Sequence, residues 1–501
     1  MDFYAQGLKL SVQGRHADAI ERFEQALAQK PDDTRTLFAL ANTARALRLD
    51  GPAEQFFRRV LALEPGRLEA SVNLANLLRA RGQFAAALAL LEPALARNPG
   101  AAELWLTLGS AYREMDNAGE ARRCYRQALA LQPNDAAALS NLADLAADDG
   151  AHDEALALYD GALAADPHAA QAKLNRAILH LLRGELEQGW RDYAARLKLP
   201  GKVPVADHKL PRWRGASLKR TRLLVTAEQG VGDQVMFASI IPELCARADD
   251  EGGSVLLECD PRLADLFARS FPAAKVHGWE IENRDATVGT RHGWLKQAGG
   301  ANAAIEMGSL PRYLRKSLDA FPLPYAYLEA DGMEQARWRA ALFDSPRPLV
   351  GICWRSGSTG GARAVQYAPL EAWAQFLRDV PATPVCAQYD ASPEEVARLS
   401  ALSGREIFVP QGIDQKQELD RAAALCSVLD AMVSAPTAVS WLASAVGTTT
   451  LKVLYDTSWT AFGERHEPFA PAALCLMPER RGDWADVFEQ AIEAIKSLDT
   501  R

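Results

Sequence analysis

The sequence lacks the features that mark membrane-spanning, zinc-binding and disulfide-stabilised proteins. No apolar run approaches the roughly 18 residues of a membrane span, and the first residues, MDFYAQGLKL, contain no basic segment followed by an apolar one. The seven cysteines include no C-x-x-C pair, which argues against a zinc clamp or a redox dithiol. We therefore expect reduced thiols in the core, no bound metal and a cytoplasmic location.

An excess of basic residues is also missing. The 56 Lys and Arg residues are outnumbered by 64 Asp and Glu residues, for a net charge of -8. The whole molecule therefore has no electrostatic attraction for nucleic acid or anionic membranes. A hydrophobic content of 48% and a charged content of 24% are typical of globular proteins. Because 501 residues exceed what one core usually organises, we expect two or three domains.

What the sequence does contain is a repeat of 34 residues. Proline recurs at this spacing, and so do an alanine and a large side chain: Pro31, Pro65, Pro99, Pro133 and Pro167; Ala19, Ala53, Ala87, Ala121 and Ala155; Phe23, Phe57, Leu91, Tyr125 and Tyr159. This is the period of the tetratricopeptide repeat (TPR), a pair of helices that buries its apolar face only against neighbouring pairs. We predict a TPR α-solenoid of about five to six repeats over residues 1–200.

Glycines predict the turn between the two helices of a pair, where a left-handed backbone is needed. Four of them are in phase with the repeat: Gly14, Gly82, Gly150 and Gly184. The second repeat has no glycine at this position, and we expect its turn to be displaced to Asp50 and Gly51. In the fourth repeat we expect Asp116 and Asn117 to replace the glycine.

A row of polar residues follows the same period on the first helix of each pair. It comprises two series with this spacing, which we call together the polar row: Asn73, Thr107, Asn141 and Asn175, and Asn42, Asn76, Ser110 and Asp144. An amide offers both donors and an acceptor, so a ladder of them can bind the backbone of an extended polypeptide without requiring a particular sequence. An equally open interpretation is that these side chains are solvated or cap neighbouring helices. The ladder resembles that of TPR-bearing protein O-glycosyltransferases.

From residue 201 the pattern changes to short apolar runs that alternate with glycine turns and helices. A helix is expected to begin at Val235, and strands are expected at 222–227, 254–259, 303–307, 349–354, 385–390, 406–410, 431–436 and 450–456. Alternating strands and helices predict parallel sheets. Two such series predict two Rossmann-like lobes, over residues 201–345 and 346–501, with ligands at the carboxyl ends of the strands. The predicted fold class is therefore an α-solenoid followed by an α/β domain.

The turn after the first of these strands contains Gly230, Gly232 and Asp233. It could be a nucleotide-binding turn, but the third glycine of the dinucleotide fingerprint is missing and an aspartate would repel phosphate. At the start of a helix, Asp233 would be held ionised and could accept a proton from an attacking hydroxyl. We predict that Asp233 is a general base.

Two further segments could bind an anion. The helix that starts at Thr437 follows a strand, and free amides at a helix start attract phosphate; alternatively, Thr437 is simply an N-cap. The loop from Arg355 to Arg363 places two guanidinium groups beside glycines, where they could hold a phosphate or a carboxylate.

Five segments together carry a family resemblance: AEQGVGDQVMFASIIPEL, GICWRSGS, QYAPLEAW, LDAMVSAPTAVSWLASAVG and RGDWADVFEQAI. Over about residues 210–495 the chain resembles bacterial TPR-linked glycosyltransferases related to lipopolysaccharide heptosyltransferases. This resemblance implies a GT-B fold, no metal or cofactor beyond a nucleotide-sugar donor, and Asp233 as the base. The donor-binding residues that we predict are Gly230, Gly232, Trp354, Arg355, Ser356, Arg363, Gln388, Thr437, Ala438, Ser440, Lys452 and Tyr455.

Two positions depart from that family. Pro436 and Trp441 replace the acidic residue and the histidine of D-T-A-x-x-H, which implies a donor other than ADP-heptose. The segments SAPTAVSWL and LKVLYDTSWTAFG resemble bacterial flagellin glycosyltransferases. In that family a TPR domain captures flagellin, and a GT-B domain transfers a nonulosonic acid such as pseudaminic acid from a CMP-sugar. The resemblance therefore implies a protein O-glycosyltransferase that acts on Ser or Thr.

Two other functions stay open. The chain could be a saccharide transferase of the heptosyltransferase type whose TPR part serves assembly only. It could also be a non-catalytic TPR scaffold, which the loss of the acidic residue and the histidine favours. Capture of flagellin by the repeats would argue against the first alternative.

Overall fold

The computed structural model describes residues 2–199, 205–284, 287–321, 326–357 and 366–498. It divides into two compact units, Met1–Ala172 and Lys173–Arg501. The division falls within a helix that begins at Ala170, before the expected boundary after residue 200.

The first unit consists of consecutive helix pairs. Its helices are α1 (Phe3–Val12), α2 (His16–Gln29), α3 (Thr34–Ala46), α4 (Asp50–Leu63), α5 (Leu68–Ala80), α6 (Phe84–Arg97), α7 (Ala102–Glu114), α8 (Ala118–Leu131), α9 (Ala136–Asp148) and α10 (His152–Ala165). The alanines and large side chains that repeat every 34 residues lie in the second helix of each pair and are at most 2% exposed. The predicted helical repeat is therefore confirmed.

A residue with a left-handed backbone follows the first helix of each pair. These residues are spaced 34 apart, whether or not they are glycines. Gly14, Gly82, Gly150 and Gly184 have φ between 71° and 76°. The equivalent residues of the second and fourth repeats, Arg48 and Asp116, adopt φ of 58° and 59°. The expected displacement of the second turn to Gly51 is wrong, since Gly51 lies in the first turn of α4. The spacing of the helices, and not the glycine, sets the position of the turn.

Two helices open the second unit: α11 (Ala170–Leu182), which crosses the division, and α12 (Leu186–Tyr193). The buried indole of Trp190, on α12, is surrounded by five aromatic rings, all of them edge-on: Tyr193, Phe237, Trp459, Phe462 and Phe469. Tyr193 lies on α12 itself, and the other four rings come from distant parts of the second unit and join α12 to its largest apolar core.

The rest of the second unit alternates strands and helices. Its strands are β1 (Val205–Ala206), β2 (Arg222–Thr226), β3 (Ser254–Cys259), β4 (Ala274–Gly278), β5 (Glu280–Arg284), β6 (Thr287–Arg291), β7 (Ala303–Glu306), β8 (Leu349–Cys353), β9 (Thr383–Cys386), β10 (Ala431–Ser434), β11 (Thr449–Val453), β12 (His466–Glu467) and β13 (Ala470–Leu476). Its later helices are α13 (Val231–Ala238), α14 (Ile241–Glu251), α15 (Ala264–Ser270), α16 (Pro311–Leu314), α17 (Gly332–Ala341), α18 (Leu370–Asp379), α19 (Pro393–Ser403), α20 (Leu419–Cys426), α21 (Ala438–Ala445) and α22 (Trp484–Lys496).

Two mainly parallel sheets result from this alternation. The first has the order β4-β3-β2-β7 and is parallel throughout; we call it and α13–α15 the first lobe. The second has the order β12-β13-β11-β10-β8-β9, and only β12 is antiparallel to its neighbour; we call it and α18–α22 the second lobe. A small third sheet has the order β1-β6-β5. The assignment of this arrangement to the GT-B fold stays a prediction.

Several elements differ from the sequence-based expectations. The strand expected at 406–410 is reduced to one bridge, between Val385 and Phe408, because Pro410 cannot donate to a ladder. The helix expected from Val235 begins four residues earlier, at Val231, and a second helix follows from Ile241. The sequence did not indicate β1, β4, β5, β6, β12 or β13.

Candidate functional site

A cavity of about 500 Å³ lies where α13 of the first lobe meets the loops that follow β8, β10 and β11 of the second lobe. Six of the residues that the sequence predicts for the site line it: Gly232, Asp233, Ser356, Thr437, Ala438 and Lys452. Pro436 and Trp441, which depart from the family pattern, line it too. We call this space the interlobe cavity.

Asp233 lies in the first turn of α13 and is half-buried. The amides at a helix start carry a partial positive charge, which stabilises a carboxylate at this position. Gly230 is the N-cap of the helix and does not line the interlobe cavity; a Cβ at this position would lie 3.7 Å from Asp233 Oδ2. This is an ordinary van der Waals distance, so an alanine at position 230 would fit beside the carboxylate.

Gly232 allows α13 to approach α21 closely. A Cβ on Gly232 would lie 3.3 Å from the Cα of Ala438 and 3.4 Å from Cδ1 of Trp441. Contacts of this length are tighter than ordinary van der Waals contacts, so the absence of a side chain brings Asp233 and the start of α21 to the same cavity.

A buried ion pair supports the turn that carries Asp233. The Arg196 guanidinium donates to Glu228 Oε1 from Nη2 (2.6 Å) and from Nε (3.2 Å), and the Gly308 amide donates to the same oxygen at 3.2 Å. Burial raises the pKa of Glu228, although the Arg196 guanidinium opposes this shift. The next residue, Gln229, donates from its side-chain nitrogen Nε2 to the Tyr193 hydroxyl at 3.0 Å. Contacts on both residues thus fix the start of the turn.

The start of α21 forms another wall of the cavity. Thr437 is the N-cap, but its side chain makes no capping hydrogen bond; its Oγ1 lies 3.4 Å from Ser434 Oγ and 3.6 Å from Cys353 Sγ. The first amides of α21 therefore gain no partner from the Thr437 side chain. Ser440 is fully buried and donates to the Thr437 carbonyl at 2.7 Å, so it supports the helix start and does not line the cavity.

Arg355 is held by two carboxylates and does not line the interlobe cavity. Its guanidinium donates to Glu395 from Nε (2.9 Å) and Nη2 (2.6 Å), and to Asp390 Oδ1 from Nη1 (2.9 Å). The hydrogen bond to Glu395 is the main cause that raises the pKa of Arg355. Its charge is therefore compensated within the protein, whereas the sequence suggested a guanidinium that holds a phosphate or a carboxylate.

Gln388 and Trp354 form part of the framework beside Arg355. The side-chain oxygen of Gln388 accepts hydrogen bonds from the amides of Trp354 and Arg355, each at 3.0 Å, and its nitrogen donates to the Arg355 carbonyl (2.9 Å) and to Asp390 (2.8 Å). Gln388 and Trp354 are each 2% exposed and lie outside the interlobe cavity. Tyr455 lies outside it as well, with its ring 6.0 Å from that of Trp484. Arg363 falls outside the described residues.

Lys452 reaches the cavity from β11 with a partner that the sequence did not indicate. Its ammonium lies 2.9 Å from Glu467 Oε1 and 3.2 Å from the centroid of the Trp441 ring. Glu467 belongs to the two-residue strand β12 and carries no recognisable motif. The only sequence signal was a charged residue next to the apolar run PFAPAALCL. Tyr367 was missed too; it lines the cavity and donates to Ser356 Oγ at 2.8 Å.

The polar row of the repeats makes contacts within the protein at several positions. Asn73 donates to Asn42 at 3.1 Å and so links α5 to α3, and Asn76 accepts from Arg79 at 2.7 Å. Thr107 is 5% exposed and donates to a carbonyl of its own helix. Asn141 and Asn175 are half-buried. The row therefore combines helix-to-helix contacts with partly accessible amides.

Three general properties follow from the described residues. All seven cysteines are buried and unpaired, as predicted. Across the described ranges, no three or more His, Cys, Asp or Glu side chains are grouped so that they could hold a metal ion. None of the helices in those ranges has the length and hydropathy that crossing a bilayer requires.

Comparisons with known proteins bear mainly on the helical repeats. Residues 4–67, 106–170 and 153–198 match one tetratricopeptide repeat model, and residues 68–110 match another. The chain is 32% identical to Protein FlbA of Caulobacter vibrioides over 326 residues, which cover 64% of this chain and 54% of that protein. The chain therefore spans about half the length of this relative.

Similar solved structures include a thermophilic TPR protein of Thermus thermophilus (30% identity, 36% of this chain, 97% of that chain, TM-score 0.31). PilF of Pseudomonas aeruginosa is another (19% identity, 39% and 88%, TM-score 0.34). Both TM-scores lie below 0.5, so neither supports a conclusion about fold or function. In sum, residues 4–198 carry tetratricopeptide repeats, and the chain is similar to Protein FlbA.

Proposed function

We propose that this chain is a cytoplasmic protein O-glycosyltransferase with a GT-B catalytic region. Its TPR repeats bind flagellin, and its second unit transfers a nonulosonic acid of the pseudaminic type from a CMP-sugar to a Ser or Thr hydroxyl. One observation carries this proposal: Asp233 lies at a helix start in a cavity lined by both lobes.

Asp233 acts as the general base of this reaction. It takes the proton of the acceptor hydroxyl while that oxygen bonds to the anomeric carbon of the sugar. The bond from the anomeric carbon to the phosphate oxygen breaks, and CMP leaves with the electron pair. A general base contributes about 100-fold to 10,000-fold in rate.

The start of α21 receives the phosphate of the leaving nucleotide. Ala438 and Thr437 line the same cavity as Asp233, and a helix start attracts negative charge through its free amides. Arg355 is a weaker candidate for this role because Glu395 and Asp390 already compensate its charge. We assign to Arg355 the positioning of the loop that follows β8.

The assignment of flagellin rests on the resemblance of the second unit and on the polar row of the repeats. The 326 residues of similarity to Protein FlbA exceed the repeat-containing span 4–198. The similarity therefore includes part of the second unit. Polar side chains on a TPR surface suit the binding of an extended polypeptide.

Reconstitution tests the proposal. Purified full-length chain, flagellin and CMP-pseudaminic acid are incubated together, and the mass of flagellin is followed by intact-mass spectrometry. We expect a mass increase with the wild type and with Asp265→Asn, an exposed acidic residue in the first turn of α15, and none with Asp233→Asn. Equal modification by Asp233→Asn would refute the mechanism.

Pull-down of flagellin by the same proteins separates the alternatives. Binding without modification by the wild type would favour a TPR scaffold. Modification of a saccharide without binding of flagellin would favour a transferase of the heptosyltransferase type.

A further inference from the structure

A buried ion pair at the interlobe cavity is not explained by the proposed reaction. Lys452 on β11 is 1% exposed and Glu467 on β12 is fully buried, and both line the cavity. Their charged atoms lie 2.9 Å apart. Replacing a buried ion pair by well-packed apolar residues is often neutral or stabilising, so stability alone is a weak reason for such a pair.

The two oxygens of Glu467 have different surroundings. Oε1 accepts from Lys452 Nζ (2.9 Å) and Thr460 Oγ1 (2.9 Å), and Cys475 Sγ lies at 3.4 Å. Oε2 is equally shielded from solvent, but it has no hydrogen-bond partner among the described residues. A buried carboxylate oxygen without a donor is unusual and points to a missing partner.

Lys452 has hydrogen-bonding capacity left as well. Of its three N–H groups, one is directed to Glu467, while the Trp441 ring lies against the ammonium at 3.2 Å. Among the described residues, the hydrogen-bond acceptor of Lys452 is Glu467 Oε1. The aromatic ring of Trp459 lines the same cavity. The pair thus offers one acceptor and at least one donor, next to aromatic rings.

We propose that Lys452 and Glu467 form a subsite for an uncharged polar group of the transferred sugar, an inference that rests on the proposed glycosyl transfer. Glu467 Oε2 accepts from an N–H or O–H group of the sugar, and Lys452 donates to its carbonyl or hydroxyl oxygen. An acylamino group or a pair of neighbouring hydroxyls satisfies both partners. A carboxylate does not, because it has no proton to donate and Glu467 repels it. The sugar carboxylate therefore lies elsewhere.

Calorimetric titration of the full chain tests this subsite with two probes, CMP and CMP-N-acetylneuraminic acid. We expect the wild type to bind the sugar nucleotide more tightly than CMP. Glu467→Gln should weaken binding of the sugar nucleotide roughly tenfold or more, since a buried hydrogen bond to a charged group is lost, and leave binding of CMP unchanged. Glu464→Gln, on the exposed loop before β12, is the matched control and should bind both probes like the wild type.

The double variant Lys452→Met and Glu467→Met distinguishes a loss of sugar binding from a loss of protein stability. We expect its melting temperature to equal or exceed that of the wild type while the preference for the sugar nucleotide over CMP is lost. Three results would overturn the subsite: no preference for the sugar nucleotide in the wild type, an unchanged preference in either variant, or an equal loss of affinity for both probes.

A failure of the proposed subsite can be distinguished from a failure of the proposed reaction. Binding needs no transfer, so Asp233→Asn should retain the preference for the sugar nucleotide. Normal transfer by Asp233→Asn would refute the proposed mechanism and leave the binding result intact. Unchanged binding by Glu467→Gln would refute the subsite alone.

Discussion

Gly232 sets the distance between the helix that carries Asp233 and the helix start opposite it. In Gly232→Ala, the new Cβ would lie 3.3 Å from the Cα of Ala438 and 3.4 Å from Cδ1 of Trp441, so the neighbours must move by a few tenths of an ångström. Overpacking of this kind costs about 1–3 kcal/mol. Because Asp233 is the next residue, the carboxylate moves with the helix. A misplacement of about 1 Å can cost about 100-fold in rate, so we expect roughly tenfold slower transfer for this smaller shift.

Two measurements on the same protein preparation check this prediction. Thermal unfolding should show a lower melting temperature, and the initial rate of flagellin modification should fall. The matched control is Gly332→Ala, at the first residue of α17, where an added Cβ meets nothing within 4 Å. We expect this control to match the wild type in both assays. A Gly232→Ala protein with wild-type stability and rate would show that the close approach of α13 and α21 does not position Asp233.

Three further predictions concern stability. Arg48→Gly and Asp116→Gly should each raise the free energy of unfolding by up to about 1 kcal/mol in urea titrations, because glycine adopts a left-handed backbone without strain; unchanged midpoints would contradict the assigned conformations. Gly51→Ala should raise it by up to about 0.5 kcal/mol, because this glycine lies in the first turn of α4 with open space around it and alanine is the better helix former. The hydrogen bond from the Arg355 guanidinium lowers the pKa of Glu395 in the folded protein. The stabilisation by this pair is therefore complete above the pKa that Glu395 has in the unfolded chain, and it is lost as the pH falls through the pKa of the folded state. Glu395→Gln should therefore flatten the fall of the melting temperature between about pH 5 and pH 3, and an unchanged pH profile would contradict the pairing.

The helical half could be predicted from sequence because one period governs both its packing and its turns. Residues 34 apart, such as Phe23 and Phe57, are buried alike because each pair stacks on the next in the same way. The exception was the turn of the second repeat. Glycine composition suggested Gly51, but the backbone places Arg48 at the left-handed position. The geometry of the helix pair therefore outweighed the preference of Arg48 for a negative φ, and the solenoid tolerates the resulting backbone strain.

The candidate site could be predicted only in part. Asp233, Thr437 and Lys452 were accessible to sequence reasoning because each lies at or beyond a strand of a recognisable strand–helix series. Glu467 was not, since its contact with Lys452 depends on a two-residue strand that no local pattern indicates. Arg355 was predicted to hold an anion for the same reason, because the sequence could not show that Glu395, forty positions away, lies against it.

The measurement that tests the central claim most directly is the mass of flagellin from cells that produce either the wild-type chain or Asp233→Asn at equal levels. We predict flagellin with added nonulosonic acid in the first strain and unmodified flagellin in the second, although the variant still captures flagellin in a pull-down. Flagellin of equal, modified mass in both strains would contradict the assignment of Asp233 as the base of a glycosyl transfer.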